Sequence, residues 1–163
     1  MSLEDCHRPR CQNSPSIQQI QDQIHSTCAD IIQFCVQKTQ ATFYQTEKSL
    51  QVKLSSLACL FLQLFLMSYQ DHFDYSIWLK DGIYSKGSLI ARTIKTMYGE
   101  VRYWRHYLVR KGGGGFYPLD ASIGLTGDGF SPLVISLATR LATRMSFTAS
   151  VLLFRCFYGW APS

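Results

Sequence analysis

At 163 residues the chain has room for one domain, or for a small domain carrying a helical arm. Its 47% hydrophobic and 17% charged residues are ordinary for a globular protein, so a real core can be buried. The formal net charge of +5 is too mild to assign a polyanionic partner by itself, so where the charge sits matters more than its sum.

Residues 1–15 are polar and hold no apolar run, so no secretory leader is expected there; they read as a disordered leader. A reducing, cytoplasmic setting follows as the expectation for the six cysteines, whose spacing shows no framework. Ser16 then opens a periodic segment. Ile17, Ile20, Ile24, Cys28, Ile31 and Cys35 recur at three- and four-residue steps with glutamines opposite, the pattern of an amphipathic helix. Neither Gly nor Pro occurs from Ser16 until Gly82, too long for one ordinary helix. A break is expected between Lys38 and Ser49, and a second helix over Leu50 to His72 with a broad apolar face. Its most apolar run, Leu54 to Met67, is shorter than the roughly 20 residues that a bilayer requires, and Gln63 interrupts it; no membrane partner is expected. Residues 16–81 thus form a helical arm, and its Ile17–Cys35 and Leu54–Met67 helices can bury their stripes on each other or on a second copy.

Gly82 and Gly87 mark a loop, after which the period changes to two. Leu89 to Met97 and Glu100 to Leu108 read as strands, with Tyr98-Gly99 as the turn of a hairpin. Gly112 to Gly115 read as a flexible break, because no Gly-Lys-Ser/Thr follows as in a phosphate loop. Phe116 to Asp120 can add a short edge strand that ends at Pro118. This gives a hairpin module over 82–120. In 121–163, a Gly-rich loop leads to Ser131-Pro132, a helix start, and a helix to about Met145. Ser146 caps another to about Tyr158, ended by Gly159. The class is α+β: an N-terminal helical arm, a small antiparallel β-hairpin or three-stranded sheet, and a C-terminal helical pair. That pair fits either the first part of a helix-turn-helix or an ordinary helical hairpin.

Seven cations, Lys86, Arg92, Lys95, Arg102, Arg105, Arg110 and Lys111, stand against Glu100 alone between 86 and 111. That stretch carries +6 and leaves −1 for the rest. Interleaved with Trp104, His106 and tyrosines, these cations suit a phosphate backbone. The same residues could equally blunt a sheet edge or lie over their own aromatics. Arg140 and Arg144 add charge to the helical pair, and no acid follows Asp128. Cys6, His7 and Cys11, or His25 with Cys28, are too irregular for a zinc site.

The segment Arg92-Thr-Ile-Lys-Thr-Met-Tyr-Gly-Glu-Val-Arg-Tyr-Trp-Arg-His-Tyr107 resembles a hallmark of insertion-sequence transposases of the ISKra type, related to the ISLre type. Phe116-Tyr-Pro-Leu-Asp120 with Ile123-Gly-Leu125, and Ser131-Pro132 with the helices through Leu153, resemble the next two blocks in the same order. The resemblance covers roughly 41–163. Many relatives carry Cys-x-x-Cys where this chain has Lys111 to Gly115, so no zinc knuckle is expected. The resemblance implies binding of transposon-end DNA through Arg92, Lys95, Arg102, Arg105, His106, Arg110, Lys111, Arg140 and Arg144. It places the metal-dependent nuclease acids in a domain beyond Ser163, so neither cofactor nor strand-transfer activity is expected here. Asp120 and Asp128 do not correspond to those acids.

Overall fold

The computed structural model describes residues 14–37, 41–125 and 127–161. The leader expected over 1–15 lies almost wholly outside the described residues, as do Cys6, His7 and Cys11. Among these residues six helices and three strands follow one another: α1 (Ile17–Val36), α2 (Phe43–Asp71), α3 (Ser76–Leu79), β1 (Tyr84–Thr96), β2 (Gly99–Arg110), β3 (Gly115–Phe116), α4 (Pro118–Ser122), α5 (Pro132–Ala142) and α6 (Phe147–Tyr158). The class is α+β, with helices at both ends of a three-stranded antiparallel sheet ordered β1-β2-β3.

Both long helices begin with the same device. Ser16 Oγ accepts from Gln19 N while Gln19 Oε1 accepts from Ser16 N; Thr42 and Gln45 repeat the pair. Each box satisfies two of the backbone groups that a helix start leaves open. α2 therefore starts at Phe43, ahead of the expected Leu50. Ile20 and Ile24 of α1 are buried in one core with Leu66, Met67, Ile94, Val101, Tyr103, Trp104 and Leu119. The two helices are thus packed onto the sheet, and the first half of the Ile17–Cys35 stripe is used inside the molecule. Cys35 itself is exposed.

Among the described residues α2 is the one helix long and apolar enough to cross a membrane by length and composition. Its inner side is committed elsewhere: Leu66, Met67 and Gln70 are buried, and Leu57, Leu60, Leu62 and Leu64 pack against the core. A bilayer-spanning placement would drag the open edges of the attached sheet into hydrocarbon, where their backbone groups would find no partners.

The hairpin register pairs Thr96 with Gly99, Arg92 with Tyr103 and Tyr84 with Arg110. The turn is Met97–Tyr98, one residue earlier than the expected Tyr98-Gly99. Among the described residues none other than glycine has a positive φ, and Gly99 takes φ 136 to close the turn. Thr96 Oγ1 holds it, donating to the Gly99 carbonyl at 2.8 Å and accepting from Tyr98 N at 3.2 Å. β1 begins before Leu89, with a bulge between Lys86 and Leu89, so Gly87 belongs to the strand and not to a loop.

The four consecutive glycines form a structured turn where a flexible break was expected. Gly112, Gly113 and Gly114 have φ of 93, 107 and 75, values open to glycine and strained for other residues. Arg110 N donates to Gly114 O at 3.0 Å and Gly113 N to Arg110 O at 3.1 Å. Gly115 starts β3, the short edge strand, whose second and last residue is Phe116; α4 then begins at Pro118, where the strand was expected to end, and Asp120 lies in that helix.

The C-terminal pair attaches along the outer edge of β1. Lys95 N donates to Gly129 O and Ser131 N to Lys95 O, at 2.8 and 2.9 Å. Phe130 stacks on Trp160, and Phe154 is buried beside them. Ser131 and Ser146 cap the two helices and Gly159, at φ 73, ends the second, as the sequence predicts.

A Cβ on Gly115 would overlap the Leu108 carbonyl oxygen and lie 2.6 Å from Tyr107 Cζ. Gly115→Ala is expected to lower the unfolding free energy by about 1–3 kcal/mol, the usual scale of overpacking, as measured by urea denaturation.

Candidate nucleic-acid interface

The hairpin distributes its cations by strand alternation, because neighbouring side chains face opposite sides of a sheet. Arg105 shares a face of β2 with Val101, Tyr103 and Tyr107, and cross-strand pairing brings Arg92 to Tyr103 on that face. α4 covers it. Asp120, buried in α4, accepts from Tyr103 Oη at 2.6 Å and from Arg92 Nη1 at 2.6 Å, and forms an ion pair with Arg105. The Arg105 guanidinium also lies 3.5 Å from the Tyr117 ring centroid, a cation–π contact.

Arg92 and Arg105 are therefore interior groups, with side chains 10% and 11% exposed. Burial, and then the nearby Arg92 charge, push the Arg105 guanidinium below its usual range, while Tyr103 and Tyr117 oppose the shift. Burial likewise raises the Tyr103 hydroxyl, which stays protonated and donates to the carboxylate. Both arginines were expected on the DNA surface. The structure places them under α4 because Asp120 is the sole acid between Glu100 and Asp128 and is brought directly over them. That lone carboxylate following the basic stretch was the signal available in the sequence.

His106 occupies the other face of β2. Its Nδ1 lies 3.0 Å from the Gly87 carbonyl, an acceptor that requires the Nδ1–H tautomer, and its ring meets Tyr75 edge-on at 5.7 Å. Burial chiefly, and the charge of Lys86, lower its pKa, with the Gly87 contact opposing. His106 is a neutral bulge clasp at neutral pH and supplies no cation to a phosphate.

The remaining hairpin cations are exposed and fall at the two ends of the ribbon. Lys95 and Arg102 lie near the Met97–Tyr98 turn; Lys86, Arg110 and Lys111 lie at the Gly112–Gly114 end. Arg102 lies over Trp104 at 5.2 Å and Lys86 over Tyr75 at 4.6 Å. Arg102 and Arg110 are eight positions apart on one strand, roughly 26 Å at about 3.3 Å per residue. Arg140 and Arg144 are exposed at the end of α5 and in the turn to α6. The nine expected contacts thus form two exposed groups on the sheet, a third on the helical pair, and an interior set of Arg92, Arg105 and His106. Among the described residues no group of three or more His, Cys, Asp or Glu side chains is placed to hold a metal ion.

No protein-family model, curated protein or solved structure significantly matches this chain.

Removing Asp120 would leave two arginines facing each other without a counter-charge. Asp120→Ala is expected to cost about 3–5 kcal/mol, the penalty for orphaning a buried charge, and Tyr103→Phe about 1.5–3 kcal/mol for one bond to a charged acceptor. Equilibrium denaturation of the two variants checks both.

The lowered His106 pKa means that the unfolded chain takes up a proton before the folded one does. This histidine's contribution to stability is present above about pH 6.5, the ordinary imidazole value, and is lost as pH falls toward the depressed folded value. Urea midpoints should fall across that window, and His106→Asn should flatten the dependence.

Proposed function

We propose that the chain is the DNA-engaging N-terminal portion of a transposase of the ISKra type, and that it holds transposon-end DNA by its phosphates. The observation that carries this reading is the concentration of charge. Residues 86–111 hold +6, and only two of the seven cations are drawn inside, leaving Lys86, Lys95, Arg102, Arg110 and Lys111 exposed on one ribbon. The resemblance of 92–107, 116–125 and 131–153 to blocks of that family supports the same reading and supplies the kind of DNA.

The two ends of the ribbon act as separate phosphate contacts, spaced by the length of the strands. Exposed cations of this kind release counterions from DNA on binding, so affinity falls steeply with salt. Arg and Lys at a turn carry no base-reading geometry of their own, and the contribution expected of the ribbon is positioning on the backbone. Arg140 and Arg144, on the helical pair, would extend the contact.

The test is a salt titration of DNA binding. Arg110→Ala combined with Lys111→Ala should weaken binding to all sequences and reduce the slope of log K against log salt by roughly 2, at about 0.9 per phosphate contact in duplex DNA. Arg140→Ala with Arg144→Ala should produce a second, separable reduction. Slopes unchanged in both variants would remove the Gly112–Gly114 end of the ribbon and the helical pair from the interface.

A further inference from the structure

The outer side of α2 carries a straight, largely apolar stripe that stays exposed among the described residues. Phe43, Glu47, Leu50, Leu54, Ala58, Phe61, Phe65 and Tyr69 follow in steps of four, three and four. Eleven residues in three turns is close to the natural pitch of a helix, so the stripe runs along the axis without winding away. It lies opposite the buried Leu66, Met67 and Gln70. Phe43 is 82% exposed, Leu54 48%, Phe61 51%, Phe65 55% and Tyr69 37%. Phe65 and Tyr69 are stacked along it at 6.0 Å. Beside its N-terminal half a groove of about 830 Å³ separates α2 from the end of α6, lined by Leu50, Leu54, Met97 and Phe157. Gln51 Nε2 bridges to the Phe157 carbonyl at 3.2 Å and fixes that wall.

We propose that this stripe is the seam of a two-fold dimer in which the α2 helices of two copies lie antiparallel. The seam differs from the inward-facing parts of α1 and α2, which the core consumes. Area favours a protein partner. At about 200 Å² per aromatic side chain the five exposed residues offer on the order of 500 Å². With Phe157 and the groove this approaches the roughly 800 Å² per partner of a standard interface. The pattern is self-complementary when reversed. The stripe's midpoint falls between Leu54 and Ala58, so antiparallel packing sets Leu54 against Ala58, Leu50 against Phe61, and Phe43 against Tyr69. Ala58 near the centre leaves room for Leu54 of the other copy, and the aromatic rings of Phe43 and Tyr69 close the ends. Opposed helix dipoles favour the same orientation. A lipid surface fits less well, because α2 has no charged residue from Leu54 to Gln70, whereas interfacial helices line their polar face with Lys and Arg.

Reversal also places Phe65 of one copy against Glu47 of the other, and this gives the test. In sedimentation velocity across a wide concentration series, the full chain is expected to dimerise. Phe65→Glu puts carboxylates face to face and should weaken the dimer by on the order of a hundredfold, as loss of a hot spot does. Phe65→Lys meets Glu47 instead and should retain most of the affinity. Circular dichroism is expected to show both variants folded, since the position is exposed; Phe61→Ala, a milder change, gives the same weakening should either fail to fold. A chain that stays monomeric, or is indifferent to Phe65→Glu, overturns the proposal. Equal losses in the Glu and Lys variants overturn the antiparallel arrangement, because a parallel pair would set position 65 against itself. Flotation of the wild type with phosphatidylcholine–phosphatidylserine vesicles would assign the stripe to lipid and overturn it too.

Discussion

A single buried carboxylate ties the halves of this molecule together. Asp120 reaches the sheet from α4 and takes donors from both strands of the hairpin: Arg92 on β1, Tyr103 and Arg105 on β2. Burying an ion pair is costly in itself, and it holds only where further hydrogen bonds fill the remaining lone pairs. Here three side chains converge on two oxygens. The arrangement fixes the short helix that follows β3 against the face of the sheet, and Leu119, next to Asp120, drops into the common core.

This constraint explains the layout around it. α4 can reach Arg92 and Arg105 only if the chain reverses tightly after β2. That is the task of Gly112 to Gly114, whose positive φ values make the turn, and of Gly115, which passes too close to Leu108 and Tyr107 for any side chain. The glycine run and the carboxylate are parts of one device. On the opposite face the Gly87 bulge, the neutral His106 and Tyr75 perform a similar closure without charge.

The exterior carries both exposed charge and exposed apolar side chains. The middle of the ribbon is spent on the fold, and the exposed cations collect at its ends and on the α5–α6 turn. Exposed apolar side chains run along the outside of α2, and others stand on the strands and on the helical pair. The two proposed surfaces meet at the Met97–Tyr98 turn, which lines the groove beside α2 and lies next to Lys95 and Arg102, whereas the cations at the Gly112–Gly114 end stand clear of that groove.

The sequence by itself determined the element types and most of their limits. The 3.6 period of 17–35, the change to alternation near 89, the Ser131-Pro132 and Ser146 caps and the Gly159 stop are local signals, and each is written in residues that act on their own backbone. It also located the basic stretch, because charge can be counted without coordinates. Where local chemistry had two solutions, it fell short. Tyr98-Gly99 and Met97–Tyr98 are both plausible turns, and the Thr96 hydroxyl selects the second. Four glycines allow a linker or a tight reversal, and pairing with Leu108 and Val109 selects the reversal. Which cations face outward was the least legible, since Arg92, Arg105 and Arg102 look alike in a one-dimensional count. Only the tertiary structure decided that two of them belong to Asp120. An ion pair between residues 28 positions apart depends on the path of the chain between them, and a pattern of nearest neighbours does not contain that path.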